Sequence, residues 1–148
     1  NSTSVAETAI LLMLECSRNV TVLHKTWVTD FYKAKLKVRK NTLSGKTLGI
    51  IGCGNIGSRV ATRALAMEMN VLCYDPFKPA KDFPDGVEVV RDINRIFTES
   101  DYVSVHTPNT PLTHNMINKE TLAMMKPTAF LINTARGGCV DEDALYEA

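Results

Sequence analysis

The chain has 148 residues, of which 45% are hydrophobic and 22% charged, so it is long enough to bury a core and too apolar to be disordered. Its formal net charge of +1 gives no electrostatic reason to expect nucleic acid or an anionic membrane surface as a partner. These proportions favour one globular domain that binds a small, near-neutral molecule.

The first apolar run, AILLML at 9–14, is too short to span a membrane and lacks the basic flank of a signal peptide. The cysteines form no CxxC pair, and no histidine lies at metal-ligand spacing from them; they are Cys16, Cys53, Cys73 and Cys139. We therefore expect reduced, mostly buried thiols, no metal ion and a cytoplasmic protein.

The first 44 residues predict a helix followed by a connecting arm. Ser4 and Glu7 have the spacing of a capping box, and apolar residues then recur at helical spacing, which predicts a helix over 4–18. The basic stretch after it shows no clear period, so we interpret it as a solvated arm that Trp27 and Phe31 attach to the core.

From Gly45 onward, short apolar runs alternate with helical patterns. The predicted strands are KTLGII, NVLCYD, VEVV, DYVSVHTP and TAFLINTA, and the predicted helices start at Ile56, around Asp92 and at Asn118. This alternation predicts an α/β fold, a Rossmann-type doubly wound parallel sheet with helices on both faces, in a domain over 45–148.

The loop after the first strand carries Gly52, Gly54 and Gly57 in the pattern GxGxxG, between a predicted strand and a predicted helix. Gly52 permits a tight turn, Gly54 admits a pyrophosphate close to the backbone, and Gly57 lets the helix pack on the strand. The amides of Asn55 and Ile56 would then face the anion at the helix N-terminus.

Asp75 ends the second predicted strand, where a carboxylate can accept hydrogen bonds from both ribose hydroxyls of an adenosine. The same carboxylate repels a 2′-phosphate, so the sequence favours NAD over NADP. The alternative is that Asp75 only caps the turn before Pro76.

Two further strands end in polar residues, and in open parallel sheets the ligand lies beyond such ends. His106, Thr107 and Pro108 follow one strand; residues 133–136 follow another, ending in Arg136 before two glycines. Arg136 can hold a carboxylate through two parallel hydrogen bonds, or it can be a surface residue capping the next helix.

The chain resembles the D-isomer-specific 2-hydroxyacid dehydrogenases in their nucleotide-binding domain. The resemblance is carried by NSTSVAE, LSGKTLGIIGCGNIG, YDP, VHTPNTPLT and MKPTAFLINTARGGCVDEDAL. It implies hydride transfer between NAD and carbon 2 of a D-2-hydroxy acid such as D-3-phosphoglycerate, with Arg136 as the catalytic residue that binds the substrate carboxylate and polarises the carbonyl. The implied cofactor contacts are Gly52, Gly54, Asn55, Ile56, Gly57, Asp75, His106, Thr107, Pro108, Thr113, Thr134, Ala135 and Arg136. Asn55 stands where the family often has Arg.

The resemblance also implies parts that these 148 residues lack. The family's catalytic histidine and glutamate follow the arginine segment, and its substrate domain is separate, so we expect a truncated sheet and a fragment that is inactive by itself. His24, His106 and His114 are poor substitutes for the missing acid. The resemblance further implies a homodimer, for which the first helix and the arm with Trp27 are the expected contacts.

Two other classes stay open at this stage. An NAD-sensing, corepressor-like module would bind the cofactor without catalysis, but it would not need Arg136 in its Gly-Gly context. A structural interaction domain with a vestigial glycine loop would not bind NAD at all. The particular 2-hydroxy acid is not specified, because selectivity would reside largely in the other domain.

Overall fold

The computed structural model describes residues 1–30 and 41–148. Its helices are α1 (Ser2–Arg18), α2 (Val20–Thr29), α3 (Asn55–Ala66), α4 (Asn94–Glu99), α5 (Lys119–Met124) and α6 (Glu142–Glu147), and its strands are β1 (Thr47–Ile51), β2 (Asn70–Tyr74), β3 (Glu88–Val89), β4 (Tyr102–Val105) and β5 (Phe130–Asn133). Short 3₁₀ turns cover Ala80–Asp82 and Gly137–Cys139. None of the helices described is long and apolar enough to cross a membrane.

The strands form one parallel sheet in the order β3-β2-β1-β4-β5. On β1, Ile50 lies opposite Cys73 of β2 on one side and opposite Ser104 of β4 on the other. The chain therefore winds outward in both directions from β1, and a crevice opens where β1 and β4 end. The doubly wound parallel fold predicted from the strand–helix alternation is confirmed.

Both faces of the sheet are covered by helices, which is why the strands are continuous apolar runs. On one face, Met13 of α1 and Val60 of α3 pack in a buried cluster with the strands. On the other face, Phe97 of α4 lies in a second buried cluster with Ile117. The loops at the carboxyl ends of the strands are thus held by a sheet that is buried on both sides.

The predicted capping box at the start of α1 is wrong. The helix begins at Ser2, two residues before the predicted start, so Ser4 lies inside it and its hydroxyl donates to the carbonyl of Asn1. The carboxylate of Glu7 instead lies 3.7 Å from the guanidinium of Arg63 on α3. Glu7 therefore joins two helices rather than closing one.

The unassigned arm contains a second helix that the sequence interpretation missed. α2 follows α1 directly, after Asn19 takes the left-handed conformation with φ 50°. No residue of α2 is buried and Trp27 is 54% exposed, so Trp27 is not a core residue, and its attachment of the arm stays a prediction. Phe31 and the basic run that follows it lie outside the described residues.

The cysteines agree with their predicted state. All four are free thiols; Cys53, Cys73 and Cys139 are buried and Cys16 is partly exposed. The predicted boundary between residues 44 and 45 stays a prediction, although α1 shares one buried cluster with β1 and α3.

Candidate cofactor site

A cavity of about 780 Å³ opens at the carboxyl ends of β1, β2 and β4. Apolar groups supply most of its wall, and the polar groups come from the glycine loop, the end of β2 and the segment after β4. The lining residues are Ile51, Gly52, Gly54, Tyr74, Asp75, Pro76, Phe77, Ile93, His106, Thr107, Pro108, Thr110, Pro111, Leu112, Thr113 and Met116. A mostly apolar cleft with a few fixed polar groups is typical of a small-molecule site.

The three glycines of the loop occupy three different environments. Gly52 has φ +88°, and a Cβ there would lie 2.8 Å from the Thr107 methyl carbon and 2.9 Å from the His106 carbonyl oxygen. A Cβ on Gly57 would collide with the carbonyl oxygen of Gly52, whereas a Cβ on Gly54 would meet nothing within 4 Å. Gly52 and Gly57 thus allow the backbone to close up, and Gly54 leaves room on the cavity side.

α3 starts at the cavity, since its N-cap Gly54 lines the wall. Within residues 1–30 and 41–148 no side-chain cap hydrogen bond closes this helix start. The first intrahelical hydrogen bond of α3 runs from the Ser58 amide to the Gly54 carbonyl. The N–H groups before Ser58 therefore lack intrahelical acceptors, and together with the helix dipole they favour an anion.

Asp75 is fixed at the edge of the cavity by two backbone amides. One carboxylate oxygen accepts a hydrogen bond of 3.0 Å from the Cys53 amide, and the other accepts one of 3.1 Å from the Phe77 amide. Each oxygen keeps further lone-pair capacity. Asp75 can therefore accept two hydroxyl donors from a ligand in the cavity without losing the bonds that orient it.

Cys53 makes close contacts with the elements around the loop. Its sulfur lies 3.8 Å from that of Cys73 on β2, and its carbonyl accepts a hydrogen bond of 2.6 Å from Lys78 Nζ. The contact with Cys73 lowers the pKa of the Cys53 thiol to about 7, against the opposing effect of burial. The same contact, together with burial, raises the pKa of the Cys73 thiol.

His106 lies against the cavity as a neutral imidazole. Its Nε2 is 2.8 Å from the Ser104 hydroxyl, and burial lowers its pKa to about 4. Its Nδ1 is buried without a hydrogen-bond partner among the described residues. At neutral pH this ring carries no proton that it can readily lose, so it does not resemble a general acid.

The segment after β4 forms one wall of the cavity and is folded by Thr113. The Thr113 hydroxyl donates to the Pro108 carbonyl at 2.5 Å and accepts from the Thr110 amide at 2.8 Å. Thr107 reaches the next loop, with its hydroxyl 3.8 Å from Cys139 sulfur. Thr113 thus shapes the wall through its hydroxyl while contributing to the cavity surface.

The turn after β5 is organised by Asn133. Its side-chain oxygen accepts from the Ala135 amide at 3.0 Å, and its side-chain nitrogen donates to the Arg136 carbonyl at 2.9 Å. Arg136 itself is exposed, and its guanidinium donates to the Ala135 carbonyl. The Thr134 hydroxyl is buried without a hydrogen-bond partner among the described residues. The turn therefore presents a free guanidinium face and an unsatisfied hydroxyl at the crevice end of the sheet.

The structure brings most of the expected site residues together but not all. Those that line the large cavity are Gly52, Gly54, Asp75, His106, Thr107, Pro108 and Thr113. Asn55 lines an adjoining recess, Gly57 is buried in α3, and Ile56 packs against the core next to it. Thr134, Ala135 and Arg136 do not line the cavity, although their turn joins the neighbouring loop where the Asn115 amide donates to the Gly138 carbonyl.

Sequence reasoning missed the apolar part of the wall. Phe77, Ile93, Leu112 and Met116 line the cavity, and Phe77 is 82% exposed. Their signal was available, because apolar side chains in loops just beyond strand ends have no core to enter. Lys78 had no comparable signal, since one of its partners is a backbone carbonyl far away in the sequence.

A five-stranded parallel sheet in this order, with a glycine-rich turn at the switch point and a carboxylate after the next strand, defines a dinucleotide-binding domain of the Rossmann type. Residues 10–148 match the family model described as "D-isomer specific 2-hydroxyacid dehydrogenase, NAD binding domain". The chain belongs to this family and is its NAD-binding domain.

Named relatives agree with this assignment. The chain is 48% identical to hydroxypyruvate reductase from Thermotoga maritima over 97% of its own length and 46% of the relative's. It is 42% identical to D-3-phosphoglycerate dehydrogenase from Methanocaldococcus jannaschii over 100% of the chain and 28% of the relative. It superposes with a TM-score of 0.93 and 38% identity on D-lactate dehydrogenase from Aquifex aeolicus, complexed with NAD and lactic acid, covering 100% of the chain and 44% of that protein. The chain thus spans less than half the length of these relatives.

The residues present fit NAD. The open side of Gly54 admits a pyrophosphate next to the first amides of α3, and the fixed carboxylate of Asp75 can receive ribose hydroxyls. The apolar wall supplies a surface for an adenine ring, and the unpartnered polar atoms of His106 and Thr134 lie at the same end of the sheet.

Proposed function

We propose that this chain is the cofactor-binding half of an enzyme that transfers hydride between NAD and carbon 2 of a D-2-hydroxy acid. The observation that carries the proposal is the position of Arg136, an exposed guanidinium on a turn that Asn133 fixes at the carboxyl end of β5. The names of the relatives support it, since hydroxypyruvate, 3-phosphoglycerate and lactate are all 2-keto or 2-hydroxy acids.

The residues of the chain divide the work between cofactor and substrate. Bound NAD supplies the hydride acceptor, while the glycine loop and Asp75 hold its phosphate and ribose groups. Arg136 has N–H donors left to bind a substrate carboxylate in a parallel pair and to polarise the adjacent carbonyl. The proton on the substrate oxygen must pass to another group, because His106 is buried and neutral, His24 is exposed on α2 and His114 is exposed in a loop.

We further propose a homodimer and a cytoplasmic location. α1 exposes 64% of Leu11, and α2 exposes 53% of Val22, 54% of Trp27 and 76% of Val28, which is an unusual amount of apolar surface on two consecutive helices. A two-fold partner using the same helices would cover it. The four free thiols fit a reducing compartment.

The activity is tested with the full-length protein that contains this chain, using NADH absorbance and pairs of D- and L-2-hydroxy acids. We expect NAD-dependent oxidation of a D-isomer only. Arg136→Ala should lower kcat/KM by about 100-fold or more, because it removes charge-assisted hydrogen bonds worth about 1.5–3 kcal/mol each. Arg136→Lys should retain part of the activity, since it keeps the charge but not the paired geometry.

Three results would contradict the proposal. Oxidation of the L-isomer with equal efficiency would mean that the substrate does not lie over the cofactor as a D-2-hydroxy acid dehydrogenase requires. Full activity of Arg136→Ala would remove Arg136 from the reaction. Binding of NAD without turnover of any 2-hydroxy acid would instead favour a sensing module.

A further inference from the structure

The peptide group of Cys53 is held at both ends by the segment that follows β2. Asp75 accepts the hydrogen bond from its amide at 3.0 Å, and Lys78 donates to its carbonyl at 2.6 Å. Cys53 stands between Gly52 and Gly54, two residues with unusual backbone freedom. These two contacts therefore restrain the part of the glycine loop that has least conformational restraint of its own.

Lys78 also joins the loop to the start of α3. Its ammonium donates to the Ser58 hydroxyl at 2.9 Å, and that hydroxyl donates to the same Cys53 carbonyl at 2.9 Å. The ammonium lies 5.4 Å from the centre of the Phe83 ring. Ser58 belongs to the first turn of α3, so one cation fixes the distance between the middle of the loop and the helix N-terminus.

Lys78 is set back from the large cavity, in a recess next to it. Lys78 does not line the large cavity; it lines a recess of about 350 Å³ beside it, together with Asn55, Ser58, Arg59 and Asp75. Its hydrogen bonds go to the loop and helix, and these are the groups that set where the amides after Gly54 point. These hydrogen bonds let Lys78 act on the cofactor site through the Cys53 peptide.

We propose that Lys78 is a positioning residue for the cofactor site, holding the Cys53 peptide against α3 so that the amides after Gly54 meet the pyrophosphate of NAD. The inference rests on the proposed function only in so far as the chain binds NAD. It predicts that Lys78 matters for ligands with a pyrophosphate and not for the adenosine part alone.

The test measures binding by the 148-residue chain to three probes. NAD and ADP-ribose are titrated by calorimetry, and adenosine by NMR, which detects weak binding. Lys78→Met should lower the affinity for NAD and for ADP-ribose by a similar factor of about 10, the loss expected for hydrogen bonds from a charged group. Adenosine binding should not change, and Lys78→Arg should recover most of the affinity.

Lys81→Met is the matched control. Lys81 is exposed in the same loop and lies in the 3₁₀ turn Ala80–Asp82, so the substitution removes the same charge close by. It should leave the affinity for all three probes unchanged. Should Lys78→Met not fold, Ser58→Ala provides the second test, because it removes the shared hydroxyl and leaves Lys78 in place; it should weaken ADP-ribose and not adenosine.

Several outcomes would overturn the inference. Unchanged affinity of Lys78→Met for ADP-ribose would show that the loop does not need the hydrogen bonds from Lys78. An equal loss for adenosine would mean a role on the adenosine side. A wild-type chain that binds neither NAD nor ADP-ribose would overturn the cofactor assignment itself, which is a distinct result.

Discussion

At the scale of single residues, the carboxylate of Asp75 performs two tasks. It accepts hydrogen bonds from two backbone amides, which fix its orientation. It also lines the cavity, where it can accept hydrogen bonds from ribose hydroxyls. A 2′-phosphate placed there would meet a negative charge at close range. Repulsion between unit charges about 4 Å apart costs about 4 kcal/mol at an effective dielectric constant of about 20.

We therefore expect the chain to bind NAD more tightly than NADP and Asp75→Ser to lower that preference at least about 10-fold. Calorimetric titration with both cofactors measures the ratio. Asp75→Asn is the second variant, because it removes the charge and keeps an acceptor oxygen for one of the two loop amides. Equal affinity of the unmodified chain for NAD and NADP would show that Asp75 does not face the ribose.

Site residues differ in how readily a sequence shows them. The sequence shows the glycines, Asp75 and Arg136, because each has a functional residue type and follows a predicted strand. Lys78 and Asn133 act on backbone carbonyls and amides, so their partners leave no side-chain pattern in the sequence. The pKa of His106 is likewise invisible to the sequence, since burial alone lowers it.

At the scale of elements, two glycines of the turn between β1 and α3 have different roles. Gly57 is needed for packing, and Gly54 leaves room for the ligand. A Cβ on Gly57 would collide with the Gly52 carbonyl, whereas a Cβ on Gly54 would enter open space beside the cavity. We expect Gly57→Ala to destabilise the chain by about 1–3 kcal/mol, the usual cost of overpacking.

Gly54→Ala should leave thermal stability within about 0.5 kcal/mol of wild type, as for substitutions that touch no packed group. It should nevertheless weaken NAD at least about 10-fold, because the added methyl occupies the approach of the pyrophosphate. Circular dichroism melts and calorimetry on both variants give the comparison. Equal loss of stability in the two variants would mean that the loop has no open side.

The elements differ in how clearly the sequence shows them. β1 and β2 are continuous apolar runs and α3 carries apolar residues at helical spacing, because each packs on the core. α2 buries no residue and lies in the stretch that the sequence analysis interprets as a solvated arm, whereas α5, which also buries none, follows its predicted start at Asn118. At the start of α1, the Ser4–Glu7 spacing was correct for a capping box, but Glu7 contacts Arg63 and the helix begins earlier.

At the scale of the whole molecule, one sheet places loops from three strands around a single cavity. β1 contributes the glycine turn, β2 the carboxylate and β4 the wall, since parallel strands end at the same edge. α1 and α2 lie away from this cavity and expose apolar side chains that no other described residue covers. The strand ends can therefore bind the cofactor while α1 and α2 remain available for assembly.

The dimer proposed for this surface gives the last prediction. Light scattering should show a dimer of the chain at micromolar concentration, because exposed apolar side chains on two consecutive helices gain by mutual burial. Val28→Glu, on α2, should weaken the dimer about 100-fold or more, because an uncompensated buried charge costs about 3–5 kcal/mol. Tyr146→Glu is the matched control, since Tyr146 is 93% exposed on α6, outside the proposed contact. The variant Val28→Glu should keep its NAD affinity, because α2 supplies no residue to the cavity. A strictly monomeric wild-type chain at high concentration, or equal dissociation in both variants, would show that α1 and α2 do not form the interface.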